Sequence, residues 1–326
     1  MAEARADRAD GGSINRFTVG IKGFWRRLKS VYLGRNGEQM PETPFHLHMP
    51  EACTSCVVFA SPHSGRDYPS SFLNTTALDQ HSIRSSEDAY VDRLFDCAPQ
   101  YGAPFLRAGA PRAYVDLNRA ADELDPALIE GLRRGGHNPR VASGLGVVPR
   151  VVANGRAIYR GKLTRLEVER RINRIWRPYH ARLQSLLSEA HGSFGEAILI
   201  DCHSMPHEAL EGAGRHGVGR PEVVIGDRFG ASATPEMVEQ VEAAFASAGF
   251  VVARNAPFAG AYTTQHYGRP SRGQHAIQVE IDRALYMDEV NIRPNANFEN
   301  MQVVLRKVVA ELSKLGTRGA QQLAAE

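Results

Sequence analysis

The sequence predicts an α/β/α sandwich, a single domain built around a mixed, mostly parallel β-sheet. Short apolar, β-branched runs alternate along the chain with segments that carry apolar residues at helical spacing. The clearest strand runs from Ala197 to Asp201 and the clearest helix from Thr164 to about Ala190. Strands that alternate with helices are typical of this class of fold. The 326 residues, 43% of them hydrophobic, supply enough apolar material for its core.

Each element follows from a local pattern. Strands are predicted at 56–60, 113–117, 197–201, 222–225 and 277–281. The first of them ends at Ser61-Pro62, a turn signal. Helices are predicted from about residue 85 onward and at 164–190, 235–248 and 298–315. The long helix at 164–190 is expected to turn Leu166, Ile172, Ile175 and Leu183 towards the core.

Composition excludes several classes of protein. Only 4 cysteines occur in the chain, so a disulfide scaffold is excluded and a reducing, cytoplasmic location is predicted. No apolar run approaches the length of a membrane span, so no stable membrane insertion is expected. The formal net charge of +3 is too small to indicate a nucleic-acid partner.

The N-terminal charge pattern divides the chain. Residues 1–12 read as a disordered tail, 13–40 as a basic amphipathic extension, 41–317 as the main domain and 318–326 as a C-terminal tail. The extension has two interpretations. It either lies on an anionic membrane surface or covers the body of the protein with its basic face in water.

Polar residues cluster just after the predicted strands. His63 and His203 each follow an apolar run and precede Gly or Pro, and Glu280 lies within the 277–281 strand. In open α/β sheets, ligands bind outside the carboxyl ends of the strands. Two histidines and a carboxylate can supply the three protein ligands of an open zinc site. The alternative for each histidine is a hydrogen-bonded structural role.

Five motifs in this order resemble the N-formylglutamate amidohydrolase family. They are SPHSGRDYP (61–69), EDAYVDRL (87–94), RAYVDLNR (112–119), DCHSMP (201–206) and HAIQVEIDRALYMDE (275–289). The resemblance covers roughly residues 45–310. It implies the fold of the zinc carboxypeptidases and aspartoacylases, a phosphorylase/hydrolase-like sandwich. It also implies hydrolysis of an N-acyl amide of an acidic amino acid, N-formylglutamate above all, in histidine breakdown.

The same resemblance implies a metal site with one Zn²⁺ per chain. His63 and His203 match the metal-binding histidines of the family. Zinc carboxypeptidases place a glutamate three residues after the first histidine, where this chain has Arg66. Asp88 is therefore the predicted third ligand and Glu87 the reserve, although carboxylates also favour the start of a helix. Imidazole and carboxylate ligands suit other divalent metals as well.

By the same resemblance, Glu280 is the catalytic base and Arg112 faces the developing oxyanion. A carboxylate desolvated within an apolar strand has a raised pKa, which suits a group that takes up and returns a proton. The alternative for Glu280 is an ion pair with Arg283 or another arginine.

The substrate side is implied in the same way. Asn118 and Arg119 are expected to hold a substrate carboxylate, for which a guanidinium fork is suited. Asp116 is expected to orient one of the arginines, and Arg283 either grips a second carboxylate or forms a structural salt bridge. An inactive binding protein on the same fold, or an enzyme for another N-acyl amino acid or peptide, remains as an alternative, and the oligomeric state stays open.

Overall fold

The computed structural model describes residues 43–133, 138–211 and 219–316. The expectations for the tail, the basic extension and the last nine residues lie outside them. Seven strands form the main sheet: β1 Phe45–His48, β2 Val57–Ser61, β3 Phe105–Ala108, β4 Ala197–Met205, β5 Val223–Gly226, β6 Val252–Arg254 and β7 Gln274–Asp282. They lie in the order β1-β3-β2-β4-β7-β5-β6.

The sheet is mixed and mostly parallel, as the sequence predicts. β3, β2, β4 and β7 are parallel neighbours, and β5 pairs in parallel with β6. β1 is antiparallel to β3, and β5 is antiparallel to β7. The carboxyl ends of β2, β4 and β7 therefore meet at one edge, where side chains from three adjacent strands can share a site. A small two-stranded sheet of β8 Met287–Asp288 and β9 Arg293–Pro294 follows.

Helices cover both faces of the sheet. They are α1 Ser70–Thr75, α2 Val91–Leu94, α3 Pro139–Ala142, α4 Arg165–Arg171, α5 Arg177–Phe194, α6 Pro235–Ser247, α7 Tyr262–Tyr267 and α8 Phe298–Leu312. Short 3₁₀ turns lie at 82–84, 98–101, 153–155, 207–210, 270–272 and 283–285. Among the described residues, no helix combines the length and apolar character needed to cross a membrane.

The two faces of the sheet bury different kinds of residue. Ile200 of β4 and Val279 of β7 lie in a large apolar cluster with α2, α6 and α8. Successive residues of a strand point to opposite faces. Asp201 and His203 therefore share the other face with Glu280, on the side where α5 and α7 contact the sheet. The buried polar residues of the site come from this face.

The predicted helix at 164–190 is present but irregular. α4 and α5 are joined by a π-helical segment, Ile172–Trp176, so that helical structure extends from Arg165 to Phe194. Ile172, Ile175 and Leu183 are buried as predicted. Leu166 was placed on the apolar side wrongly, since its side chain is 65% exposed.

The predicted strand at 113–117 is wrong. These residues form turns, although Tyr114, Val115 and Leu117 are buried. The alternation arises because apolar residues enter the core between polar residues that face the site, a pattern that does not require a neighbouring strand. β1, β3 and β6 were missed; each is only three or four residues long.

The helix expected from about residue 85 begins only at Val91. Tyr90 has a positive φ of 68°, a left-handed conformation that a helix cannot include. Glu87 and Asp88 therefore lie in the preceding loop rather than in a first helical turn.

Candidate active site

The loop after β2 places His63 at the edge where the parallel strands end. Gly65 allows this loop to pack on the neighbouring segment, because a Cβ at position 65 would lie 2.1 Å from the carbonyl oxygen of Ala110. The carbonyl oxygen of His63 accepts a hydrogen bond from the amide of Asp88, at 3.1 Å. The backbone thus fixes two of the predicted ligands relative to each other.

Three predicted ligands converge on one point. Asp88 Oδ2 lies 2.9 Å from Nδ1 of His203 and 3.4 Å from Nδ1 of His63. All three residues are buried, and one ligand atom from each lies within 4.8 Å of the other two. The structure therefore brings Asp88 to the histidines. Glu87 points elsewhere, since its carboxylate accepts hydrogen bonds from Tyr68 and Arg84.

The outer nitrogen of each histidine faces a second carboxylate. Nε2 of His63 lies 2.7 Å from Asp116 Oδ1, and Nε2 of His203 lies 3.0 Å from Oδ2 of the fully buried Asp201. A carboxylate only accepts, so the hydrogen bond to Asp116 favours the proton of His63 on Nε2 and leaves the Nδ1 lone pair of that ring directed at Asp88. Nε2 of His203 also lies 3.3 Å from Nδ2 of Asn118. Carboxylates that hold the outer nitrogen of a histidine in this way are typical of metal sites.

The donor set fits a divalent cation. Nδ1 of His63 is buried and has no hydrogen-bond partner among the described residues, although it faces a carboxylate oxygen. A buried polar atom without a partner is costly unless a ligand satisfies it. Two imidazole nitrogens and one carboxylate are ligands that zinc accepts.

The charges around the site point the same way. Burial by itself lowers the pKa of His203, but Asp201, Asp88 and Glu280 outweigh it and raise that pKa well above its usual value. Burial by itself raises the pKa of Asp88, but His203 and His63 hold it well below the usual range. The carboxylates therefore favour positive charge at this point, which a metal ion supplies.

Arg283 contacts Asp88 of the candidate ligand group. Its Nη2 donates to Asp88 Oδ1 at 2.9 Å, and its Nε donates to Ser204 Oγ at 3.2 Å. Of the two roles predicted for Arg283, these contacts support the structural salt bridge. The guanidinium leaves Asp88 Oδ2 to the histidines and fixes the direction of the carboxylate.

Glu280 lies beside His203 in the register of β4 and β7. Burial raises the pKa of Glu280 to about 7, against the lowering effect of His203. Its Oε1 accepts a hydrogen bond from Gln278 Nε2 at 2.8 Å. A carboxylate that titrates near neutral pH is suited to general base catalysis.

The 112–119 segment lies against the candidate ligand group of His63, Asp88 and His203. Asp116 Oδ1 contacts His63, and Asp116 Oδ2 accepts from Arg112 Nε at 3.0 Å, so this aspartate orients an arginine as predicted. Asn118 has its amide engaged: Oδ1 accepts from the amide of Thr263 at 2.8 Å, and Nδ2 donates to Gln278 Oε1 at 3.4 Å. Asn118 therefore supports neighbouring residues of the site. Its amide group is already hydrogen-bonded and is less available to hold a substrate carboxylate.

Arg119 is buried and binds backbone oxygens. Nε donates to the carbonyl of Leu145 at 2.9 Å and Nη1 to that of Asn118 at 2.7 Å. These contacts fix the guanidinium without neutralising it. No carboxylate among the described residues forms an ion pair with it, so it is suited to bind an anionic group from a ligand.

Three donors from one helical stretch anchor the same segment. Nη1 of Arg171 donates to the carbonyl of Tyr114 at 3.2 Å, Nε1 of Trp176 to that of Arg119 at 2.8 Å, and Nε2 of His180 to that of Leu117 at 2.9 Å. Burial lowers the pKa of His180 to about 3, so its ring is neutral. These bonds replace the ladder of a strand and hold the irregular segment in place.

The residues predicted for the site line one cavity of about 660 Å³. They are His63, Asp88, Arg112, Asn118, Arg119, His203, Glu280 and Arg283. Sequence reasoning missed Gln278 and Arg140, which also line it. Gln278 precedes Glu280 by two residues on a strand, so the period of two was a signal for it. Arg140 lies outside all five motifs and gave no signal.

Comparison with known proteins shows the family of this chain. A sequence model of the N-formylglutamate amidohydrolase family matches residues 55–287, which include all eight of these residues. The chain belongs to the N-formylglutamate amidohydrolase family. Two relatives are named N-formylglutamate deformylase. The protein from Pseudomonas aeruginosa is 29% identical to this chain, and the one from Pseudomonas putida is 28% identical. The first match covers 78% of this chain and 90% of the relative, and the second 82% and 95%.

A solved member of the family has the same fold. The crystal structure of N-formylglutamate amidohydrolase from Ralstonia eutropha JMP134 is 35% identical to this chain, with a TM-score of 0.79. The match covers 85% of this chain and 99% of that one. The zinc carboxypeptidase-like α/β architecture predicted from the motifs is thus consistent with a known family structure.

Proposed function

We propose that this protein is a zinc-dependent amidohydrolase that converts N-formyl-L-glutamate and water to formate and L-glutamate. The convergence of His63, Asp88 and His203 on one point, with Glu280 in the same cavity, carries the proposal. The names of the relatives support the substrate. A place in histidine breakdown and a cytoplasmic location stay predictions.

His63, Asp88 and His203 would hold the metal. When bound, a divalent ion supplies a Lewis acid that polarises the formyl carbonyl and makes water a better nucleophile. Asp116 accepts a hydrogen bond from the outer nitrogen of His63, and Asp201 lies 3.0 Å from that of His203, so both carboxylates would favour the orientation of these rings for a metal.

Glu280 moves the proton. It takes a proton from the attacking water as the oxygen bonds to the formyl carbon. It then gives that proton to the amide nitrogen as the C–N bond breaks, so formate and a free amine leave. A pKa near neutrality lets one carboxylate do both at physiological pH. Gln278 fixes Oε1 of Glu280, and Oε2 makes no hydrogen bond within the described part of the chain.

Arg112 and Arg119 bind negative charge. Asp116 occupies Nε of Arg112, and the two Nη groups have no partner among the residues that the structure describes. They are placed to stabilise the developing oxyanion. Removing one donor from such a site typically raises the activation free energy by about 3–4 kcal/mol. Arg119 binds a carboxylate of the glutamate portion.

The experiment is a formate assay on protein of defined metal content. The purified protein is treated with a chelator, reloaded with Zn²⁺, and given N-formyl-L-glutamate, with formate and glutamate measured separately. We expect one formate per glutamate from the zinc-loaded protein and almost none from the metal-free protein. Failure to release formate from any N-formyl amino acid would support the alternative of an inactive binding protein.

A further inference from the structure

Two of the four arginines that line the cavity have no acidic partner. Arg112 and Arg283 each form an ion pair with a carboxylate of the site. Arg119 binds backbone carbonyls, and the guanidinium of Arg140 makes no hydrogen bond or ion pair with any residue that the structure describes. The cavity therefore presents two guanidinium groups whose charge a ligand can neutralise.

The backbone of Arg140 is held in place while its side chain is exposed. Arg140 lies in α3, whose start is capped by Asn138: Oδ1 of Asn138 accepts from the amides of Arg140 and Val141. Nδ2 of Asn138 donates to Glu123 Oε2 at 3.2 Å, which ties the cap to the rest of the fold. The position of Arg140 in the cavity wall is thus defined before a ligand binds.

Arg119 and Arg140 belong to one wall of the cavity. Arg119 Nε donates to the carbonyl of Leu145, and the amide of Leu145 donates to the carbonyl of Arg140 at 2.8 Å. Burial lowers the pKa of Arg119 against the raising effect of Asp116, and the nearby charges of Arg112 and Arg140 lower it further, partly offset by Glu123. Neither Arg119 nor Arg140 forms an ion pair with a described residue, which favours a ligand with more than one negative group.

We propose that Arg140 binds the side-chain carboxylate of the substrate while Arg119 binds its α-carboxylate. The assignment rests on the proposed function. The α-carboxylate is next to the scissile amide, and Arg119 is buried and adjacent to Asn118, whose amide lies 3.3 Å from His203. The side-chain carboxylate of glutamate reaches further from the reacting carbon, and Arg140 is the exposed member of the pair.

This arrangement makes Arg140 the residue that selects acidic N-formyl amino acids. A charge-assisted hydrogen bond to a carboxylate is lost when the carboxylate becomes an amide, whereas the α-carboxylate and the reacting groups are unchanged. Arg140 then determines the selectivity for glutamate over glutamine, but it takes no part in the chemical step.

The test compares N-formyl-L-glutamate with N-formyl-L-glutamine in the zinc-loaded wild type and in Arg140→Gln. In the wild type, kcat/KM should favour the glutamate substrate by about 10- to 100-fold, the range expected for a hydrogen bond to a charged group. In Arg140→Gln, KM for the glutamate substrate should rise until this preference is lost. The kcat/KM for the glutamine substrate should change much less than that for the glutamate substrate, and circular dichroism should show that the variant is folded.

Arg133→Gln is the matched control. Arg133 is an exposed arginine near α3 that does not line the cavity, so the change in net charge is the same and the preference should survive. An Arg140→Gln protein that keeps the preference for glutamate overturns the role of Arg140 and leaves the proposed function intact. A wild type that hydrolyses neither substrate overturns the proposed function itself.

Discussion

Gln278 donates a hydrogen bond from Nε2 to Oε1 of Glu280 at 2.8 Å, so the proposed base enters the cavity with one of its oxygens already fixed. The donor is itself held, because Gln278 Oε1 accepts from Asn118 Nδ2, and Asn118 Oδ1 accepts from the amide of Thr263. The donors in this chain all point towards Glu280. Two amide side chains thus connect a backbone amide with the carboxylate and support its ionised form.

We expect Gln278→Ala to lower kcat by about 10-fold with little change in KM, since the residue positions the base and does not hold the substrate. Loss of the hydrogen bond should also raise the pKa of Glu280 and move the acid limb of the kcat/KM profile to higher pH. Steady-state kinetics across pH would check both effects. A uniform loss of activity with an unmoved acid limb would contradict the positioning role.

Glu280→Gln separates a base from a metal ligand. The variant should keep stoichiometric zinc and lose about 10²- to 10⁴-fold in kcat, the range expected for general acid–base catalysis. Metal analysis and kinetics on the same preparation would check this. Loss of zinc in Glu280→Gln would show that Glu280 is a ligand.

The raised pKa of Glu280 also has a cost in stability. Its folded value of about 7 exceeds the ordinary glutamate value, so the folded state binds more protons than the unfolded state between the two values. Stability therefore falls as pH rises through this window and levels off above about pH 7. In metal-free protein, Glu280→Gln should be more stable than the wild type at pH 8, by on the order of 2 kcal/mol.

Urea unfolding of both metal-free proteins at pH 5 and pH 8 would check this difference. At pH 5 the wild-type carboxyl is largely protonated, so the two proteins should differ much less. Equal stability differences at the two pH values would contradict a raised pKa at Glu280.

The proposed metal site predicts that a histidine substitution removes zinc only where the histidine is a ligand. His63→Ala or His203→Ala should abolish binding of one zinc per chain and eliminate turnover, because each leaves only two ligands. His81→Ala is the control, since His81 is exposed and does not belong to the ligand group. Metal content by mass spectrometry, with circular dichroism to confirm folding, would check the three variants. Stoichiometric zinc and full activity in His203→Ala would refute the ligand assignment.

Arg119→Ala should lower kcat/KM for N-formylglutamate by roughly two decades, because the bound carboxylate loses its counter-charge. Arg119→Lys should restore little of it, since lysine cannot reproduce the bidentate fork. An N-formyl substrate without the α-carboxylate should be nearly as poor with the wild type as with the variant. A wild type that hydrolyses this substrate as well as N-formylglutamate would contradict the assignment of Arg119 to the α-carboxylate.

Sequence reasoning brought His63, Asp88 and His203 together because they lie in short motifs at or near the ends of apolar strands. His203 and Glu280 occupy adjacent strands in register, although β4 extends to Met205 and so includes His203, which was expected just past the strand. The same pattern failed at 113–117, where backbone carbonyls bind side chains of a distant helix instead of a neighbouring strand. Such partners are set by tertiary packing, which the local alternation of residues does not encode.

Other features of the site could not be predicted because they depend on contacts between residues that are far apart in the sequence. Whether Arg283 bound Asp88 or a substrate depended on a contact between residues 195 positions apart. Arg140 follows no motif and lies in a four-residue helix, so only the folded cavity wall brings it near Arg119. An arginine can be assigned to substrate binding only when the structure shows which arginines already form ion pairs within the protein.

The π-helical segment Ile172–Trp176 has a consequence for how the enzyme tolerates change. Along a regular α-helix, each residue rotates the side-chain direction by about 100°. A π-helical segment changes this rotation, so side chains beyond it point in other directions than they would along a regular helix. Arg171 before the segment and Trp176 and His180 at and beyond it all reach the 112–119 loop. Deleting a single residue here would leave a longer regular helix but rotate one set of donors away from the loop. No residue of this helical stretch lines the described cavity, yet its phase determines the position of the 112–119 segment, which includes Arg112 and Arg119.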